Sequence, residues 1–288
     1  MLGQQLVNGL ALGLTYSLTA IGFTLIFGVL GLINFAHGEV YMVGAFIAFT
    51  LVAFLHVNYF VAFLLAIAFS GLMGYFLELI AFRPLRNAIP EATLIATLGV
   101  STFLKEFANI IWGPEVHTIN TPFLSSSFAI GGIQISVIQI VILVVSVLLM
   151  WGLQIILYKT KTGYAIRAIS QDMGASYLMG VNVDNTIAMT FVIGSALGGA
   201  AGVLMGTYYG AFYPTMGYMP GLKAFVAMVL GGLTSIPGAV LGGVILGISE
   251  TLAGAYISAG VQDAISFLIL IAILLFFPQG LSGKKRGV

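Results

Sequence analysis

The chain has 288 residues, 60% hydrophobic and only 7% charged, with a formal net charge of +1 and no cysteine. A water-soluble domain carries about a quarter charged residues, so a soluble fold is excluded. The balanced charge gives no basis for a nucleic-acid partner, and the missing thiols exclude disulfides, a cysteine nucleophile and cysteine-ligated metal.

Apolar runs reach about 20 residues, the length that crosses a hydrocarbon core about 30 Å thick. They are continuous rather than alternating, which argues against a β-barrel. The expected fold is all-α: one polytopic transmembrane helical bundle over residues 1–288, embedded in the lipid bilayer. Spans are expected at 5–30, 40–56, 58–81, 92–112, 136–158, 185–206, 222–257 and 264–278, about eight in all, with 222–257 broken. The first run starts almost at Met1 without a basic flank and outlasts a signal peptide, so it reads as a retained span. Eight of the ten basic residues fall in three groups: Arg83 and Arg86; Lys159, Lys161 and Arg167; Lys284, Lys285 and Arg286. The positive-inside rule puts all three groups, and with them the C-terminus, in the cytoplasm. Segments 113–135 and 207–221 contain no Lys or Arg and are expected outside. The N-terminus is outside if both early runs cross fully, and inside if one is re-entrant.

Val29-Leu30-Gly31, Gly38 and Val40 recur two hundred residues later as Val229-Leu230-Gly231, Gly238 and Val240. Each copy interrupts an apolar run. An internal repeat accounts for this, and so does coincidence in a chain with 37 glycines. Repeat-built transporters pass substrate near paired helix breaks, which makes Asn34, His37, Glu39, Thr234, Ser235 and Pro237 candidates for a translocation path. The competing reading has Asn34, His37 and Glu39 solvated at a span end, capping helices.

Glu78 is expected to pair with nearby Arg83 or to snorkel. Lys105 and Glu106 are adjacent on a helix, so each is expected to find its own partner or reach water. Lys223 and Glu250 both lie in the broken run. His37, His56 and His117 are dispersed and match no zinc spacing. With no G-x-S-x-G and no phosphate-cradling lysine loop, the sequence assigns no catalytic residue, no metal, no cofactor and no ATPase site of its own. Ion coupling would have to rest on Glu39, Glu78, Glu106 or Glu250, most of which look peripheral, so the sequence favours an external motor.

The stretch YKTKTGYAIRAISQDMGASYLMGVNVD, residues 158–184, is a polar loop in a chain otherwise built for lipid. Residues 163–180 read as a short surface helix, with Gly163 stopping the preceding span, Gly174 weakening or dividing the helix and Gly180 ending it. Its apolar stripe, Ala165, Ile166, Ala168 and Ile169, would suit a groove on a peripheral partner or would anchor the loop at the interface.

The stretches INFAHGE (33–39) and GGLTSIPGA (231–239), together with this loop, are specific. On them the chain resembles, over essentially its full length, the LivH-type permeases, membrane subunits of ATP-binding-cassette importers for branched-chain amino acids. The resemblance implies that the loop holds a coupling helix docking into a cleft on an ATPase, with Gly163, Arg167, Ala168, Asp172, Ala175 and Gly180 in that element. The general importer motif, E-A-A, three residues, then Gly, aligns with Gly174-Ala175-Ser176 and Gly180, so its acidic position is lost. It further implies a second LivM-like permease subunit, two cytoplasmic ATPases that hydrolyse the ATP, and an extracytoplasmic amino-acid-binding protein. Urea or short-amide permeases, and more distantly sugar permeases, are the alternatives within the class; an ion-coupled carrier or channel is the alternative outside it.

Overall fold

The structure, a computed structural model, describes residues 2–86, 88–119, 126–130 and 132–282. Pro122, Ser125, Gly131 and the basic group at 284–286 lie outside the described residues.

Seven helices are long and apolar enough to cross a membrane. They include α1 (Leu2–Leu30), α3 (Tyr59–Leu77, continued by a π turn and a 3-10 turn to Leu85) and α4 (Pro90–Trp112). After α4 comes a two-stranded antiparallel hairpin, β1 (Ser127–Ile130) and β2 (Ile133–Ser136), leading into α5 (Val137–Lys159). The hairpin falls in a segment the sequence presented only as loop. Two short helices, α6 (Lys161–Ile169) and α7 (Met173–Leu178), precede α8 (Val183–Tyr209). The chain finishes with α9 (Tyr218–Gly231), α10 (Ile236–Tyr256) and α11 (Gln262–Phe276). The broken run at 222–257 is α9 and α10, separated by Gly232–Ser235.

Two apolar helices are too short to span. α2 (His37–Ala53) and α9 have 17 and 14 residues, about 25 and 21 Å at 1.5 Å per residue, against a core of about 30 Å. α2 is a half-span. Phe35 N–H reaches Thr97 Oγ1 at 3.4 Å, Ser101 donates to Glu39 at 3.0 Å, and Trp112 donates to Thr50 at 2.8 Å. α2 therefore climbs beside α4 from the middle of α4 to its end. Gln4 at the start of α1 bonds the backbone of Gln134 in β2 at 2.9 Å, on the face opposite Arg83, Arg86 and Arg167. α1 thus starts on the hairpin's side although α2 is too short for a full crossing. The choice posed by the sequence was too coarse, because α1 crosses fully and the chain then climbs back to mid-depth through the non-helical segment 31–36 before α2 begins.

α1 and α8 are almost wholly enclosed, while α4, α5 and α11 turn most of their length outward. Where lipid replaces water, no hydrophobic effect drives helices together, and small residues that permit close approach take its place. In the α1–α10 seam a Cβ on Gly13 would sit 2.7 Å from Val244 Cα, and one on Gly9 2.8 Å from Ile248 Cα. Ser17 donates across this seam to the Val240 carbonyl at 2.8 Å. The obstructing atoms are backbone and cannot rotate away. Gly13→Val is expected to cost about 1–3 kcal/mol and lower the detergent melting midpoint by roughly 5 °C. Gly99→Ala, with open space at its Cβ, should leave it unchanged. Equal melting of the two variants would refute the close-packing account.

On the opposite face an ionic clasp ties the end of α3 to the first turn of α8. Arg86 pairs with Glu78 and, at 2.5 Å, with Asp184, and Arg83 pairs with Asp184. This corrects the expected Glu78–Arg83 pair: the chain turns after Phe82 and brings Arg86 back over the buried Glu78. Lys105 and Glu106, expected to act separately, approach to 3.3 Å, and Asn109 donates to Glu106 at 2.9 Å.

Candidate functional site

Three groups of residues are candidates, and the fold places them differently. The first is the loop between α5 and α8. It forms two helices rather than one. The division falls at Ser170–Asp172, where Asp172 caps α7 by accepting from Ala175 N–H at 2.9 Å, and not at Gly174. Gly163 does not stop the preceding span; Lys159 ends α5, and Thr160 caps α6 by accepting from Gly163 N–H at 3.2 Å. Gly163 lies within α6, where any Cβ would strike the backbone of Ile156 and Leu157. Gly180, at φ +83°, terminates the segment in a conformation that favours glycine.

The apolar stripe of α6 also faces inward: Ile166 and Ile169 are buried, and Ala168 is half-buried. What projects is α7 and its C-terminal turn. Ala175, Tyr177, Leu178 and Met179 are exposed, the last two at 85% and 84%. Sequence reasoning passed over this Tyr-Leu-Met run, although three large apolar residues before a terminating glycine in a polar loop were the signal. Arg167 is held between two rings, 4.6 Å from the Tyr158 centroid and 4.9 Å from that of Tyr164. Such cation–π contacts fix the guanidinium on the bundle side of α6.

The second group is the α9–α10 break. Thr234 and Pro237 are exposed, and Ser235 caps α10 by accepting from Gly238 N–H at 3.2 Å. All three line a cavity of about 530 Å³ whose other wall is Arg167, Ser170 and Gln171. The break therefore adjoins the loop between α5 and α8.

The third group is Asn34, His37 and Glu39. Exposures of 1%, 0% and 1% overturn the reading that they are solvated at a span end. Asn34 does brace the turn, its Oδ1 accepting from Ala36 N–H at 3.1 Å. The His37 ring packs against Gly22 and Gly198 and edge-on to Phe23, 4.8 Å between centroids. Glu39 lines a different cavity from the one that Thr234, Ser235 and Pro237 line.

The repeated sequence segments also differ in build. Long α1 precedes short α2, whereas short α9 precedes long α10. Gly31, at φ +68°, has open space at its Cβ, while its counterpart Gly231 is pressed against Gly238. A network not foreseen from the sequence joins the broken helix to its neighbours. Buried Lys223 on α9 pairs with buried Glu250 on α10 and, at 2.7 Å, with Asp263 on α11; Tyr16 of α1 donates to Glu250 at 3.1 Å. Among the described residues no group of three His, Asp or Glu residues is arranged to hold a metal ion.

The family model described as the branched-chain amino acid transport system permease component matches residues 5–274. The chain belongs to this family. It is 40% identical to the high-affinity branched-chain amino acid transport system permease protein LivH of Escherichia coli (strain K12), over 98% of this chain and 96% of that protein. It is 42% identical to BraD, the corresponding permease protein of Pseudomonas aeruginosa, with the same coverage. A probable LivH of Methanocaldococcus jannaschii is 30% identical over 92% of this chain and 88% of its own length. No solved structure matches. In this permease component of 288 residues, then, the bundle of seven crossing and two half-crossing helices is the whole of the described chain apart from connections and one hairpin.

Proposed function

We propose that this chain is a membrane-spanning subunit of an ATP-binding-cassette importer that carries leucine, isoleucine or valine into the cytoplasm, driven by separate ATPase subunits. The observation that carries the reading is the end-to-end match to permease components of branched-chain amino acid transport. The coupling loop is consistent with it: α7 offers Tyr177, Leu178 and Met179 on the face that bears Arg83, Arg86, Lys159, Lys161 and Arg167, which the positive-inside rule makes cytoplasmic. A pair of ATPases would dock there. The C-terminus would lie on the same side. A LivM-like second permease would cover the outward faces of this bundle, and an amino-acid-binding protein would deliver substrate to the hairpin side. ATP-driven closure of the motors would move the coupling loops and switch the bundle's facing.

An ion-coupled carrier needs free carboxylates within the bundle. Glu78 and Glu250 are in ion pairs and Glu106 contacts Lys105, which leaves Glu39 as the one of the four candidate carboxylates without an ion pair among the described residues. The test is uptake in proteoliposomes holding this chain, a second permease, two ATPases and a receptor. Labelled leucine should accumulate only with internal ATP, persist with an uncoupler, and exceed labelled urea by more than tenfold. Accumulation of urea instead would favour the short-amide reading; collapse with the uncoupler while ATP is maintained would refute the external motor.

A further inference from the structure

The two half-helices meet at their N-termini. A Cβ on Gly38, the second residue of α2, would sit 2.6 Å from the Gly217 carbonyl oxygen, and one on Gly221 would sit 2.9 Å from Gly38 Cα. Only glycine lets the first turns of α2 and α9 touch backbone to backbone. Ser101, which bonds Glu39, is the twelfth of 23 residues in α4 counting from Pro90, so the junction lies at mid-membrane. Neither Ala36 nor Gly217 supplies a side-chain cap. Backbone carbonyls accept from His37, Glu39 and Val40 N–H in α2 and from Tyr218 and Gly221 N–H in α9, and Pro220 has no N–H, so what the two helix starts bring to the same place is the partial positive charge of their dipoles.

Beside the junction is a cavity of about 250 Å³, lined among others by Phe23, Phe35, Glu39, Ser101, Gly221 and Leu222. This is below the roughly 300 Å³ at which pockets for drug-sized ligands begin. Glu39 is 1% exposed. One of its oxygens accepts from Ser101 at 3.0 Å, and the other, Oε2, has no hydrogen-bond partner among the described residues. A buried carboxylate oxygen without a donor, among apolar walls, is costly and calls for one. Among the described residues no basic side chain supplies it: Lys105, one turn along α4 from Ser101, contacts Glu106.

We propose that this cavity holds a zwitterionic α-amino acid in transit. Its ammonium is taken by Glu39 Oε2, its carboxylate faces the joined N-terminal turns of α2 and α9, and its aliphatic side chain packs on Phe23, Phe35 and Leu222. Half-helix N-termini offer an anion just such a setting, without a buried cation. The site rests on the importer reading above and adds the residues that distinguish the two ends of the substrate. The cavity's rim, Tyr218 at 56% and Leu98 at 49% exposure, opens beside the outward face of α4, where a second permease subunit would close it.

The experiment is leucine uptake by the reconstituted five-protein assembly with wild-type, Glu39→Gln, Glu39→Asp and Leu222→Trp chains, each first shown to co-purify with its partners at wild-type yield. Glu39→Gln keeps the hydrogen bond to Ser101 and removes only the charge; uptake should fall below one-tenth. Glu39→Asp should retain a substantial part, and Leu222→Trp, which fills the cavity, should match the Gln variant. Uptake by Glu39→Gln within twofold of wild type, or an Asp variant as poor as the Gln variant, would overturn the site while leaving the importer reading intact. A wild-type assembly that takes up no leucine would overturn both.

Discussion

Replacing Leu178 and Met179 together with glutamate is expected to strip the ATPase subunits from the assembled permease. Both side chains stand almost fully in the open at the end of α7, and α7 is held rigidly by the Asp172 cap at one end and the left-handed Gly180 at the other. Burying a side chain of this size in a partner's groove contributes about 1.5–3 kcal/mol, so losing two removes about 3–6 kcal/mol. At 1.4 kcal/mol per tenfold, affinity should fall at least a hundredfold. Co-purification measures it, with membrane insertion as the control. Arg167→Glu acts differently, because Arg167 faces Tyr158 and Tyr164 rather than the open side. It should loosen α6 from the bundle and weaken ATPase recovery less than the Leu178/Met179 pair. Retention of the ATPases by the double glutamate variant would show that docking lies elsewhere.

The second large effect is expected at Lys223. Its ammonium is shared by Glu250 and Asp263, and Glu250 is 4% exposed. Lys223→Met leaves that carboxylate buried without its counter-charge, a loss of about 3–5 kcal/mol in comparable cases. For a chain of this length that corresponds to a melting midpoint lowered by roughly 10 °C. Adding Glu250→Gln removes the uncompensated charge and should restore more than half of the loss. Thermal denaturation in detergent decides the matter: if the double variant melts below Lys223→Met, the pair is not what holds α9 to α10 and α11.

Most of the architecture was legible because lipid imposes a strong rule. Long apolar runs must become helices, and the runs in this sequence did, including the break near Gly232. Legibility stopped where the sign of a contact depends on three-dimensional return. Nothing local says that Arg86 rather than Arg83 covers Glu78, since that depends on the turn after Phe82. The depth of His37 and Glu39 was likewise hidden. A short polar string between apolar runs looks the same whether it leaves the membrane or folds back inside it, and only α2's alignment with α4 fixes the answer. The helical character of the polar loop was legible, but its apolar stripe, expected to meet a partner or the membrane interface, packs inward with Ile166 and Ile169 buried. Periodicity reveals that Ile166 and Ile169 share a face, not whether that face meets a partner or its own bundle.

The glycine contacts between α1 and α10 have a mechanical consequence. Backbone resting on backbone at Gly9 and Gly13, with the Ser17 hydroxyl bonded across to Val240, leaves the seam little room to re-pack or change its crossing angle. Whatever rearrangement carries solute across must leave these two helices fixed to each other, as a keel against which the thinner-walled parts of the protein swing.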